Sequence, residues 1–166
     1  LLAQPVDAIV NAANGRLLHG GGVAALIARR AGEALERESR AVVEERGTVP
    51  PGGAVVTTAG DLPFEGVIHA VGPRQGEGDE SEKLTSAVAA ALARADEQGW
   101  RSVAMPAVSS GIFAVPPDVC ARAYLAGVRR HLEERPDSAV REVRLCLLDG
   151  PLVELVKEEL RRPHST

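Results

Sequence analysis

A short apolar run, Ala8-Ile9-Val10, delivers the chain into Asn11-Ala-Ala-Asn14, and soon afterwards three consecutive glycines open what reads as a long helix. A buried strand that turns through Gly20, Gly21 and Gly22 into a helix is the strand–loop–helix unit of an α/β protein. Glycines at that junction let backbone N–H groups approach a ligand with no Cβ in the way. The helix start adds unpaired N–H donors and the positive end of its dipole, so the natural guest is a phosphate or diphosphate. Asn14 and His19 bring polar side chains into the same turn. Two familiar phosphate loops do not fit. G-x-x-x-x-G-K-[ST] is absent, and neither Lys83 nor Lys157 follows a glycine loop. G-x-G-x-x-G is absent too, with no acidic residue ending a second strand at the required offset.

The pattern predicts a strand over 6–10, buried on both faces because it barely alternates. A helix follows from Gly22 or Val23 to about 46, with Ala24, Ile27, Ala28 and Leu35 on one face and Gly32 dividing it. Strands over 54–58 and 67–71 are separated by too short a connection for a helical crossover, so they are not parallel neighbours and the sheet is mixed. A helix over 80–98, a strand over 103–106 and a helix from Pro116 or Pro117 to 134 come next, proline standing in the first turn. A strand over 142–148, a helix over 151–162 and a frayed tail over 163–166 complete the chain. Alternating strands and helices predict a three-layer α/β/α sandwich with a central mixed, largely parallel sheet. No linker divides the 166 residues, so a single domain over 1–166 is expected.

Composition narrows the partners. The apolar fraction is 45%, with two Phe, one Tyr and one Trp, which points to helices packed tightly on a small-residue sheet. No run of about 18 apolar residues is present, so no membrane span is expected. A net charge of −4 argues against a nucleic-acid backbone as partner. The pairs Arg29-Arg30, Arg129-Arg130 and Arg161-Arg162 lie among glutamates and read as solvated helix faces. Neutral N–H groups hold an anion without net positive charge. Cys120 and Cys146 form no C-x-x-C pair and read as two buried thiols in a reducing cytoplasm, with no metal site.

A second candidate loop, Pro106-Ala-Val-Ser-Ser-Gly-Ile-Phe113, also follows a strand, so both loops lie at carboxyl ends of central strands. Open α/β sheets bind ligands there, and two backbone-rich loops can face each other across a diphosphate. Ser109 and Ser110 tempt one toward a nucleophile, but G-x-S-x-G is absent and no acid or His is placed to activate them. Asn11, at the strand end, is expected to make structural hydrogen bonds. Asn14 either holds its own loop through an Asx-type turn or meets the ligand. His19 is either the partner of a backbone carbonyl or functional. His69 reads as a core histidine, and His131 and His164 as surface residues. Phe113 belongs to the core or to the site, and Asp149 either caps the last helix or lies near the ligand.

The run N-A-A-N-x-x-L-x-H-G-G-G-V-A resembles the first binding loop of the macrodomain family, whose members bind ADP-ribose. The resemblance continues through Val67-Ile-His-Ala-Val-Gly-Pro73, and 106–113 resembles the family's second phosphate loop. It implies a macrodomain-like sandwich with ADP-ribose or an ADP-ribosylated protein as partner and no cofactor. It implies that Gly20, Gly21, Gly22 and Val23 clamp the diphosphate together with Ser109, Ser110, Gly111, Ile112 and Phe113, with Ala12, Pro106 and Val108 beside them. Asn14 would contact the distal ribose, Phe113 would pack against it, and His19 would pass a proton or orient a hydroxyl. Leu148 stands where several relatives stack an aromatic residue on the base, and Asp149 would lie near the adenine. Relatives begin with a further strand and a Gly-Asp-Ile-type turn; here 1–7 read as starting downstream of it, and Asp7 is not that aspartate. The activity implied is hydrolysis of mono-ADP-ribose from acidic side chains, with Asn14 and His19 as catalytic candidates. The alternatives are a non-catalytic reader, deacetylation of O-acetyl-ADP-ribose, or removal of a terminal ribose phosphate. A poly(ADP-ribose)- or RNA-binding protein is disfavoured. One branch carries a catalytic Asp where this chain has Ala24.

Overall fold

The computed structural model describes residues 1–163. Its elements are β1 (Ala8–Ala13), α1 (Gly22–Ala31), α2 (Glu33–Arg46), β2 (Ala54–Thr57), β3 (Gly66–Val71), α3 (Glu80–Glu97), β4 (Ser102–Pro106), α4 (Pro117–Glu134), β5 (Glu142–Cys146) and α5 (Pro151–Arg161). They form one five-stranded sheet in the order β2-β3-β1-β4-β5. β1 runs parallel to β3 and β4, and β4 parallel to β5, while β2 pairs antiparallel with β3. The short connection from β2 to β3 forces that single reversal. The mixed, largely parallel sheet is therefore as the sequence implies, and helices cover both of its faces.

Alternation along the strands separates two cores. Ala8 and Val10 of β1, Ile68 and Ala70 of β3 and Met105 of β4 face α3, α4 and α5, where Ala91 and Ala95 let the helices approach closely. Ile9, Val67 and Ala104 face Ile27, Ala28 and Leu35 of α1 and α2. Gly32 divides α1 from α2 with φ +88°, a left-handed conformation that a side chain would resist. Asp7 fastens the strands at the opposite end from the cleft, its Oδ2 accepting from the Arg101 N–H at 2.7 Å.

Several expectations need correction. β1 starts at Ala8 and continues to Ala13 rather than ending at Val10. Asn11 reads as a strand stop, yet its Nδ2 lies 3.0 Å from the Nδ1 of His69 at the paired position of β3, so a polar residue sits inside a buried strand, its Oδ1 left without a partner among the described residues. β5 ends at Cys146, two residues early, because the chain leaves the sheet there. His131 is buried, not on the surface: its Nε2 lies 2.7 Å from Ser138 Oγ, and burial lowers its pKa. Cys146 is half-buried rather than buried, while Cys120 is buried as expected. His164 and most of the tail lie outside the described residues.

Candidate functional site

Connections leave the carboxyl ends of β1 and β4 toward opposite faces of the sheet, which opens a crevice between those two strand ends. A cleft of about 540 Å³ occupies that position. Its walls are the β1 exit (Ala12, Ala13, Asn14, Leu18), the start of α1 (Gly20 to Ala24) and the β4 exit (Ala107 to Phe113), with Arg74 and Leu148 at its margins.

The glycines are not required by the protein's own packing. A Cβ placed on Gly20 or Gly21 would meet no atom within 4 Å, and only Gly22 is held left-handed, at φ +56°. The glycines that leave this space line the cleft. α1 begins at the N-cap Gly21 with no side-chain cap and no acidic residue in its first turn. Its first N–H groups therefore face the cleft without a competing protein anion.

Asn14 holds its own loop, the first of the two roles the sequence left open. Its Oδ1 accepts from the N–H groups of Arg16 and Leu18, each at 3.1 Å, and its Nδ2 donates to the Leu18 carbonyl at 2.8 Å. That shapes the turn into the glycines, while the side chain also lines the cleft. One Nδ2 hydrogen is left for a ligand.

The opposite loop is shaped from below by α4. The buried Tyr124 hydroxyl donates to the Val108 carbonyl at 2.5 Å, and the Cys120 thiol lies 3.8 Å from the same oxygen. Burial pushes the pKa of both groups up, so both stay protonated donors. Ser109 is left-handed at φ +66°, and the Val115 N–H closes the loop on its carbonyl at 3.0 Å. The Ser109 Oγ is buried with no hydrogen-bond partner among the described residues, an orphan at the cleft wall. Gly72 at the end of β3 permits this approach, because a Cβ there would collide with Ser109 Oγ and with Val108 Cγ1. Tyr124→Phe is expected to cost about 1–2 kcal/mol by leaving a buried carbonyl short of its donor, read from urea unfolding.

His19 does not line the cleft. It lies beneath the glycine loop, its Nε2 3.1 Å from Ser39 Oγ and its ring stacked on His69 with centroids 5.3 Å apart. Hydroxyl commitments fix both tautomers. Ser39 donates to the Leu35 carbonyl and Thr57 to the Thr58 carbonyl, so each hydroxyl accepts from a histidine Nε2–H. Both Nδ1 lone pairs then face Asn11 Nδ2, at 3.0 Å from His69 and 3.5 Å from His19. Burial holds the His69 pKa down to about 3, with His19 adding to the effect. Burial also lowers the His19 pKa, against an opposing pull from Glu36.

Of the residues expected at the site, Ala12, Asn14, Gly20, Gly21, Gly22, Val23, Val108, Ser109, Ser110, Gly111, Ile112, Phe113 and Leu148 share the cleft wall. His19, Pro106 and Asp149 are not on it. Pro106 is buried as the last residue of β4, and Asp149 is exposed just before α5. Arg74 was missed. A cation immediately beyond the Gly72-Pro73 strand exit was the available signal, submerged in a polar loop.

Fold and site together define an α/β protein with a cleft walled by main chain at its strand exits. The chain belongs to the Macro domain family, whose profile matches residues 10–124. It is 44% identical over 158 residues to an uncharacterised protein of Thermotoga maritima, covering 94% of this chain and 26% of that protein. The chain thus spans about a quarter of that relative's length. It superposes with TM-score 0.86 on a glycine-to-valine mutant of the Oceanobacillus iheyensis macrodomain solved with ADPR, at 27% identity over 96% of this chain and 87% of that one. A Trypanosoma brucei macrodomain in complex with ADP-ribose superposes with TM-score 0.80, at 31% identity over 93% of this chain and 63% of that one.

Proposed function

We propose that the cleft binds ADP-ribose, free or attached to a protein. The observation that carries this reading is the pair of loops whose free main-chain amides face each other at the ends of β1 and β4. Gly20 and Gly21 there are unneeded by the fold and line the cleft. Two macrodomains of the same fold were solved with ADPR and with ADP-ribose. The diphosphate lies against the start of α1 and the 109–113 loop, Asn14 donates to the distal ribose, and Leu148 offers an apolar surface to the base.

The finer reading is hydrolysis of mono-ADP-ribose from acidic side chains. A water held between the diphosphate and the anomeric carbon attacks that carbon as its bond to the ester oxygen of the modified side chain breaks; the side chain leaves as a carboxylate, and the substrate phosphate accepts the water's proton. Positioning and electrostatic stabilisation supply most of the rate. A non-catalytic reader is the second reading, and one observation favours it: among the described residues, no Asp, Glu or His lines the cleft. Turnover of a mono-ADP-ribosylated protein, measured beside calorimetric binding of ADP-ribose, separates them. Asn14→Ala is expected to lower turnover and weaken binding at least about tenfold. Tight binding by the wild type without turnover leaves the reader.

A further inference from the structure

The first amide of the loop after β4 is aimed from behind. Val108 and Ser109 share one peptide group, which is planar and trans, so its C=O and N–H point in opposite directions. The carbonyl turns into the core, where the Tyr124 hydroxyl of α4 donates to it at 2.5 Å. The Ser109 N–H therefore turns away from α4, toward the cleft that both residues line. Among the described residues that N–H meets no acceptor, although Ser109 is only 6% exposed. Its Oγ is orphaned as well. Two unmet polar groups on one buried residue point to a partner that arrives from outside the protein. Ser109 is also left-handed at φ +66°, and a residue of that hand in a turn gathers successive N–H groups into a concavity that suits an anion.

Tyr124 does more here than fill space. Its side chain is fully buried, and burial keeps the phenol protonated and able to donate. The Cys120 thiol approaches the same Val108 oxygen at 3.8 Å but lies nearer the Val115 carbonyl, at 3.6 Å, so the phenol is the principal donor. A donor on one side of a peptide polarises the whole unit, and the N–H on the far side becomes a stronger donor in turn.

We propose that Tyr124 is a positioning residue for the cleft: by donating to the Val108 carbonyl it fixes and polarises the Ser109 N–H that receives the diphosphate. This rests on the ADP-ribose reading, and it gives a share of the grip to a buried residue of α4 that is no part of the cleft wall. Without the hydroxyl the 108–109 peptide is freer to rotate and its N–H is a weaker donor.

The test joins calorimetric affinity for ADP-ribose to the nuclear magnetic resonance of the Ser109 amide, in wild type, Tyr124→Phe and Leu92→Val. Leu92 is buried in α3 and is no part of the cleft wall, so Leu92→Val loosens the core from outside the site. In wild type, ADP-ribose is expected to shift the Ser109 N–H signal downfield. Tyr124→Phe moves that signal upfield before ligand is added and lowers affinity about fivefold. Leu92→Val lowers the urea midpoint as Tyr124→Phe does, but keeps affinity within about twofold of wild type. Equal affinity in wild type and Tyr124→Phe overturns the proposal. So does an equal loss in Leu92→Val, which would trace the effect to a looser core. A Ser109 amide that ADP-ribose leaves unmoved overturns it in the wild type alone. If ADP-ribose does not bind the wild type, the reading of the cleft fails and this inference falls with it. Binding that Tyr124→Phe leaves unaltered sinks the Tyr124 role only.

Discussion

Gly21→Asp is expected to make the protein slightly more stable and nearly unable to bind ADP-ribose. Gly21 is the N-cap of α1, in extended backbone at φ −161° and ψ 169°, with no side-chain cap. Aspartate suits that conformation, and its carboxylate accepts from the first-turn N–H groups, adding up to about 1 kcal/mol of cap and dipole stabilisation. Nothing in the fold obstructs it, because a Cβ there meets no atom within 4 Å. The same carboxylate occupies the amides that the diphosphate needs and sets a like charge beside it. Affinity should fall at least about 100-fold, equivalent to about 2.7 kcal/mol. Urea unfolding and calorimetry on one preparation read both effects. Gly21→Asn is the matched control, capping the helix without the charge and losing less affinity. Undiminished ADP-ribose binding by Gly21→Asp would remove the diphosphate from the start of α1.

The second large effect is acid destabilisation centred on His69. Its folded pKa is held at about 3 against an ordinary value of 6.5, so between those values the unfolded chain binds a proton that the native state refuses. Stability therefore rises with pH through that window, is fully present above 6.5, and is lost progressively as pH falls toward 3. The slope from this one residue approaches about 1.4 kcal/mol per pH unit. His19 and His131, both with lowered pKa, contribute in the same direction. Burial of the rings is the main cause, and the contacts around Asn11 act in the same sense. Each imidazole presents a bare Nδ1 to the Asn11 amide, and a proton on either nitrogen would point donor at donor. Urea midpoints at pH 7.5, 6.0 and 5.0 measure the slope. His69→Gln should flatten it over this range, while costing stability at pH 7.5 through the lost Thr57 and Asn11 contacts. A wild-type slope matched by the variant would refute the assignment.

Much of this molecule is legible in the chain because the informative signals are local. Strand, glycine turn and helix succeed one another over 8–31, and the single antiparallel pairing follows from the short connection between β2 and β3. The second loop shows itself by its own serines and glycine. What stays hidden is lateral. Asn11 and His69 are 58 residues apart and meet only because β1 and β3 pair in register, so neither residue announces the other. Tyr124 supports Val108 from a helix 16 residues on, and Arg74 reaches Phe113 from a different strand exit. His131 looks like a surface histidine in a charged helix, and Ser138, across the helix end, is what keeps it inside. Periodicity places elements and their faces; partners across the sheet depend on register, which alternation alone leaves open.

The cradle built from peptide groups separates two sensitivities within one small protein. Amides carry no titrating proton, so the pyrophosphate grip proposed above would be indifferent to acidity across the range where the imidazoles beneath the glycine loop are not. A fall in ligand uptake on mild acidification would then report the scaffold giving way, with the docking surface itself chemically unaltered until that point.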